Sequence, residues 1–152
     1  HQFLGNGRKS NGQFHNFPVY RASIVNFTST VLGATCMGTA AGFSEKDRTR
    51  YENSGKKYSS LGNHGWTLDP PRLTTRSDIG TGDAGSPRTA VDACYNGRAI
   101  VSFLDGAVVA KYPRELGYVT DESGKFVNDG GASNRQFSGE DRDLDPPVVP
   151  GK

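Results

Sequence analysis

Two dipeptides, Asn96-Gly97 and Asp105-Gly106, stand one strand length apart between runs of apolar and β-branched residues. No other feature restricts the fold as strongly. A two-residue type I′ turn needs φ > 0 at both central positions, and Asn-Gly and Asp-Gly tolerate that conformation best. The runs 88–95, 98–104 and 107–112 therefore read as three strands of an antiparallel meander. A further pair, Tyr118–Thr120 and Lys125–Val127, flanks Asp121-Glu122-Ser123-Gly124 and extends the pattern to five strands over 88–128. Upstream, residues 18–32 place Val19, Val25 and Phe27 on one face and Tyr20, Ala22 and Ile24 on the other. That predicts one long central strand, apolar on both faces. The small residues of 33–43 predict a second strand where another backbone approaches closely.

The fold class these signals predict is all-β, a small antiparallel sandwich or barrel built around the 88–128 meander. At most one short helix is expected, near 44–53, where Ser44 followed by Asp47 resembles a capping box. Leu, Ile, Val and Phe supply only about a fifth of the 152 residues, close to the lower bound for a folded core. The 20 Gly and 8 Pro show no collagen period. No apolar run approaches the ~18 residues of a membrane-spanning helix. The apolar residues concentrate in 18–128, read as the β domain. Residues 1–17 read as an N-terminal arm, and 129–152, ending in Asp145-Pro146-Pro147, as an extended acidic and Pro-containing C-terminal arm.

Charge is unevenly divided. Residues 1–76 hold ten Lys and Arg against four Asp and Glu, and residues 77–152 hold eight against twelve. Halves of opposite sign suit attraction within the fold or between neighbouring copies. The net charge of +2 is too small to imply nucleic-acid binding by itself. Arg48, Arg50, Lys56 and Lys57, in the basic segment 46–57, keep a polyanion in play beside Tyr51 and Tyr58. Cys36 and Cys94 are expected to pair as one disulfide in an extracellular, secreted or virion setting. A chain that starts at His1 fits a processed N-terminus, and Asn26-Phe27-Thr28 is a glycosylation sequon.

Few residues offer chemistry. His1 with His64 matches a copper-binding histidine brace, the arrangement used by copper polysaccharide monooxygenases, since imidazole suits copper. Asp141, Asp143 and Asp145 alternate as at the start of a calcium loop, although Pro146 stands where that loop needs Gly. Trp66, Tyr51 and Tyr58 lie in polar loop sequence and are candidate ligand-binding aromatics for a glycan or a protein.

Gly82-Asp83-Ala84-Gly85-Ser86-Pro87 resembles the G-D-S-G-x-P signature of chymotrypsin-like serine proteases, and Thr39-Ala40-Ala41-Gly42 resembles their T-A-A-H. Ala84 replaces the nucleophile and Gly42 the base. The two positions also stand closer in sequence than a double barrel requires. The resemblance implies at most a catalytically dead fold. The expected function is therefore non-enzymatic: a structural subunit of an extracellular or virion particle or filament, ordered by arm exchange between copies. The competing expectations are a secreted carbohydrate- or protein-binding β module, the dead protease and the copper oxidase.

Overall fold

In the computed structural model, residues 2–4, 8–10, 13–15, 19–37, 44–47, 68–73, 89–127 and 131–144 are described. The chain is all-β in class, built mostly from short antiparallel strands. Strands β1 (Arg8–Ser10) and β2 (Gln13–His15) pair with each other. Strands β3 (Val31–Ala34), β4 (Ala99–Phe103) and β5 (Val108–Lys111) form the central sheet in that order. Strands β6 (Val119–Thr120) and β7 (Phe126–Val127) make a third ladder. Among the described residues these sheets do not close into a barrel.

Local turn chemistry explains the hairpins. Asn96 (φ 54°) and Gly97 (φ 77°) adopt the left-handed pair that a type I′ turn requires, and Tyr95 and Arg98 exchange backbone bonds of 3.1 and 3.0 Å across it. The Asp105-Gly106 turn differs from the two-residue form expected. Only Gly106 has positive φ, and Phe103 N–H bonds to Ala107 O at 2.9 Å, so the loop has three residues with glycine in the αL position. Asp105 serves it through its carboxylate, which accepts the Ala107 N–H at 2.9 Å.

β4 buries alternate residues: Ala99, Val101 and Phe103 face the core, and Ile100 and Ser102 face outward. Phe3, Val31, Leu68, Ala90, Val91, Leu116, Tyr118, Phe126 and Phe137 complete that core. Tyr118 joins its parts. Its ring meets Phe126 and Phe137 edge to face at 5.4 and 5.9 Å, and its hydroxyl donates to Asp69 O at 2.5 Å.

Several expectations are corrected. The strand partner of β4 opposite β5 is β3, not the run 88–95. Thr35 decides this: its hydroxyl donates to Asp92 O and accepts Ile100 N–H, so residues 90–92 bond to 35–37 instead of to β4. Residues 19–30 are not a long central strand. A 3-10 turn occupies Arg21–Ser23, and Tyr20 and Val25 are exposed. Short polar side chains capture the backbone there, with Ser23 Oγ donating to Tyr20 O and Thr30 Oγ1 to Asn26 O. A 3-10 turn, Glu45–Asp47, stands where the single helix was expected, with 48–53 outside the described residues.

Both arms differ from the extended form expected. The N-terminal segment carries the β1–β2 pair and a 3-10 turn, Gln2–Leu4, whose Phe3 is buried. The C-terminal segment contains a single-turn helix, α1 (Arg135–Ser138), and Phe137 is fully buried. Asp143 caps α1 from beyond its end, accepting bonds from Ser133 Oγ and from the N–H groups of Asn134 and Arg135. The buried Asn134 amide is satisfied by Leu144, donating to its carbonyl and accepting its N–H. Phe3 and Phe137 thus belong to the core of their own chain.

Candidate interaction site

Among the described residues β3 and β5 are the two edge strands of the central sheet, and β5 is the more exposed of them. Leu104 N–H bonds to Thr30 O and Thr35 N–H to Ile100 O, so the even-numbered residues of β4 bond toward β3. Phe103 N–H bonds to Ala107 O, so the odd-numbered residues bond toward β5. By the same alternation Ala107, Val109 and Lys111 point their backbone groups inward. Val108 and Ala110 point theirs away from the sheet. Among the described residues β5 has a strand on one side only. Val108 is 63% and Val109 40% exposed, on opposite faces of the strand, and Ala110 is exposed as well. Such an edge usually carries a charge, a proline or a bulge that blocks further pairing. β5 carries one such charge, Lys111 at its C-terminal end, and Val108–Ala110 carry none of these.

At the other end of the hairpin, paired residues share a face. Tyr95 pairs with Arg98, and the β4–β5 register continued by one residue sets Arg98 opposite Tyr112. The Arg98 guanidinium lies 4.7 Å and the Arg114 guanidinium 5.4 Å from the centre of the Tyr112 ring. That ring lies over Gly97, 3.6 Å from where a Cβ would stand. Pro113 opens the 3-10 turn Pro113–Leu116 that carries Arg114, and Glu115 accepts the Tyr112 N–H at 2.7 Å, fixing the entry to that turn. Tyr95 remains 57% exposed.

Cys36 and Cys94, expected to pair, are not joined in this structure: Cys36 is half-buried and Cys94 exposed. Cys36 pairs with Val91, and Cys94 lies three residues beyond. Asn26 uses its side-chain oxygen within its own sequon, accepting bonds from Thr28 Oγ1 at 2.8 Å and Ser29 N–H at 3.2 Å. Of the aspartates considered for calcium, Asp141 is paired with Arg135 at 3.2 Å and Asp143 caps α1. Among the described residues no three His, Cys, Asp or Glu gather as a metal site. Trp66, Tyr51, Tyr58, His1, His64, Asp145, Ala84, Gly42, Arg48, Arg50, Lys56 and Lys57 lie outside the described residues.

Two polar groupings are structural. Asp69, buried, accepts the Thr89 N–H and lies 3.7 Å from the equally buried Arg72, while its own N–H bonds to Thr89 Oγ1. This ties the Asp69–Arg72 loop to residue 89. Asp121 organises the β6–β7 turn through Oδ1, which accepts bonds from Ser123 Oγ, Ser123 N–H and Lys125 N–H. The Ser123 hydroxyl above all, with the Lys125 and Ser123 amides and the Lys125 charge, holds its carboxyl below the ordinary 3.8 against the opposing effect of desolvation. A lowered folded value means the turn is fully supported above the ordinary pKa and loses that support as pH falls through the lowered one. Carboxyl NMR titration should show Asp121 moving up toward 3.8 in Ser123→Ala. An unchanged midpoint would remove the hydroxyl as the main cause. Beside this turn lies an open depression of about 510 Å³ lined by Ser44, Glu45, Lys46, Glu122 and Ser123.

The residues that define this site were missed at the level of sequence. Val108, Val109 and Ala110 read as ordinary strand interior, and the one signal was that three consecutive apolar residues do not alternate. Arg98, Tyr112 and Arg114 are scattered in sequence and meet only across the hairpin. The architecture is that of an all-β chain with an open sheet edge and a basic aromatic patch. Comparison of the chain with protein-family profiles, curated proteins and solved structures returns no match.

Proposed function

We propose that this chain is a non-enzymatic structural subunit that associates with copies of itself through the β5 edge. The observation that carries the reading is the outward-facing, uncharged stretch Val108–Ala110, apolar on both faces. A second copy fits that edge by two-fold antiparallel pairing. The outward backbone groups of Val108 would bond those of Ala110 in the partner, with Val109 at the axis. In that register Lys111 lies toward the turn that carries Asp105 in the other copy, twice, which gives charge complementarity. Arms are not needed for this contact, and Phe3 and Phe137 of the two arms lie in the chain's own core. A four-residue strand pair buries less than the ~1,200 Å² of a standard interface. The contact is therefore weak alone and gains strength by repetition in a particle or filament. The extracellular or virion setting rests on the sequence-level reading.

The test is sedimentation velocity over a wide concentration range. The native chain should associate reversibly as concentration rises. Ala110→Pro removes an outward N–H while sparing the β4 ladder, so it should remain monomeric with unchanged circular dichroism. Val108→Lys, which places a charge on the edge, should do the same. A native chain that stays monomeric throughout, or variants that associate as the native chain does, would overturn the reading.

A further inference from the structure

We infer that the row Tyr95–Arg98–Tyr112–Arg114 is a binding site for an acidic polysaccharide, recognising carboxylates on a linear chain of sugar rings. The two guanidiniums stack on one tyrosine ring and so lie within about 10 Å of each other. Both arginines are exposed, and neither guanidinium makes a hydrogen bond or ion pair among the described residues. The forks that match a planar carboxylate are therefore unspent. Stacking restrains them beforehand, which lowers the entropy lost when they bind. Tyr112 is itself held, over Gly97 on one side and by the Glu115 bond to its N–H on the other. Tyr95, across the turn from Arg98, offers an open aromatic face of the kind on which a sugar ring packs.

Charge density selects the class of polymer. Lys111 lies over the Phe103 ring on the other face of the hairpin, and Glu115 is the acidic residue beside Arg114. Two cations with a carboxylate beside them suit a polymer whose charges are spaced by whole sugar rings. A nucleic acid strand, with a phosphate at every residue, calls for a broader basic surface than a chain of net charge +2 provides. The row is independent of the β5 backbone edge, so it can be tested on the Ala110→Pro chain as well as on the native one.

A fluorescent oligomer of galacturonic acid is titrated with the protein by anisotropy, beside its methyl ester and an oligothymidylate. The acid oligomer should bind, weaken with added salt, and lose its binding on esterification. The double variant Arg98→Ala with Arg114→Ala should lose on the order of tenfold or more, the scale of hydrogen bonds to charged groups. Replacing both arginines by lysine should restore only part of the affinity, because the charge returns without the fork. Tyr95→Ala should weaken binding several-fold, and thermal unfolding of all these surface variants should match the native chain. Equal binding of the ester, native affinity in the double alanine variant, tighter binding of the oligothymidylate, or no binding at all would each overturn the assignment.

Discussion

Phe137→Ala should lower the unfolding free energy by about 3–5 kcal/mol, the range for removing a buried aromatic ring. For a domain whose whole stability is on the order of 5–15 kcal/mol, that is a large fraction. Phe137 is fully buried, and its ring packs edge to face on Tyr118 at 5.9 Å. Helix α1, which carries it, is one turn long, far shorter than a helix that holds itself in water. The ring therefore anchors the segment 131–144, and the Asp143 cap and the Asn134–Leu144 pair depend on that anchor. Urea unfolding measures the loss directly. Amide exchange across 131–144 should accelerate more than exchange in β4. A loss below about 1 kcal/mol, with native exchange in that segment, would mean that the C-terminal region is an arm after all.

Gly117→Ala should be of similar size for a different reason. Gly117 ends the 3-10 turn with φ +83°, and a Cβ there would stand 1.9 Å from Ser133 O. Left-handed backbone costs a non-glycine residue about 1–2 kcal/mol. The clash is the larger part, because the two backbones are also bonded, Ser133 N–H to Gly117 O at 3.0 Å, and cannot separate without losing that bond. The expected total exceeds about 3 kcal/mol, in the tail of single-substitution effects. Gly106→Ala is the control. Its φ is +91°, yet nothing lies within 4 Å of the added methyl group, so only the conformational cost of about 1–2 kcal/mol should appear. Thermal midpoints of the two variants separate strain from collision. Equal shifts would show that the approach of Ser133 to Gly117 is not rigid.

The parts of the fold legible in the sequence were those set by a few adjacent residues. Asn96-Gly97 and Gly106 each marked a real reversal, and Asp121 to Gly124 closed the β6–β7 pair. Asn11-Gly12, the same dipeptide as at 96–97, stands between β1 and β2, where the sparse apolar residues around it carry no strand pattern. Residues 19–30 misled in the opposite way. Their β-branched content matched a strand, while Ser23, Asn26 and Thr30 drew the backbone into turns that leave Tyr20 and Val25 in solvent. The interaction site was illegible for a further reason. Exposure of Val108 and Val109, and the stacking of Arg98 and Arg114 on Tyr112, depend on which strand lies beside which.

By itself the sequence determined the all-β class and the positions of the tight turns, because a positive φ is a local demand that only Gly and a few polar residues meet cheaply. Tertiary structure alone decided that β3 and not 88–95 lies beside β4, that Phe137 enters the core, that Cys36 and Cys94 are not joined, and that β5 is left with an open edge. Those outcomes turn on hydrogen bonds and contacts between residues far apart in the chain, such as Thr35 to Asp92 and Tyr118 to Asp69. No local pattern records such pairings, since the same apolar run can be buried or exposed depending on what packs against it.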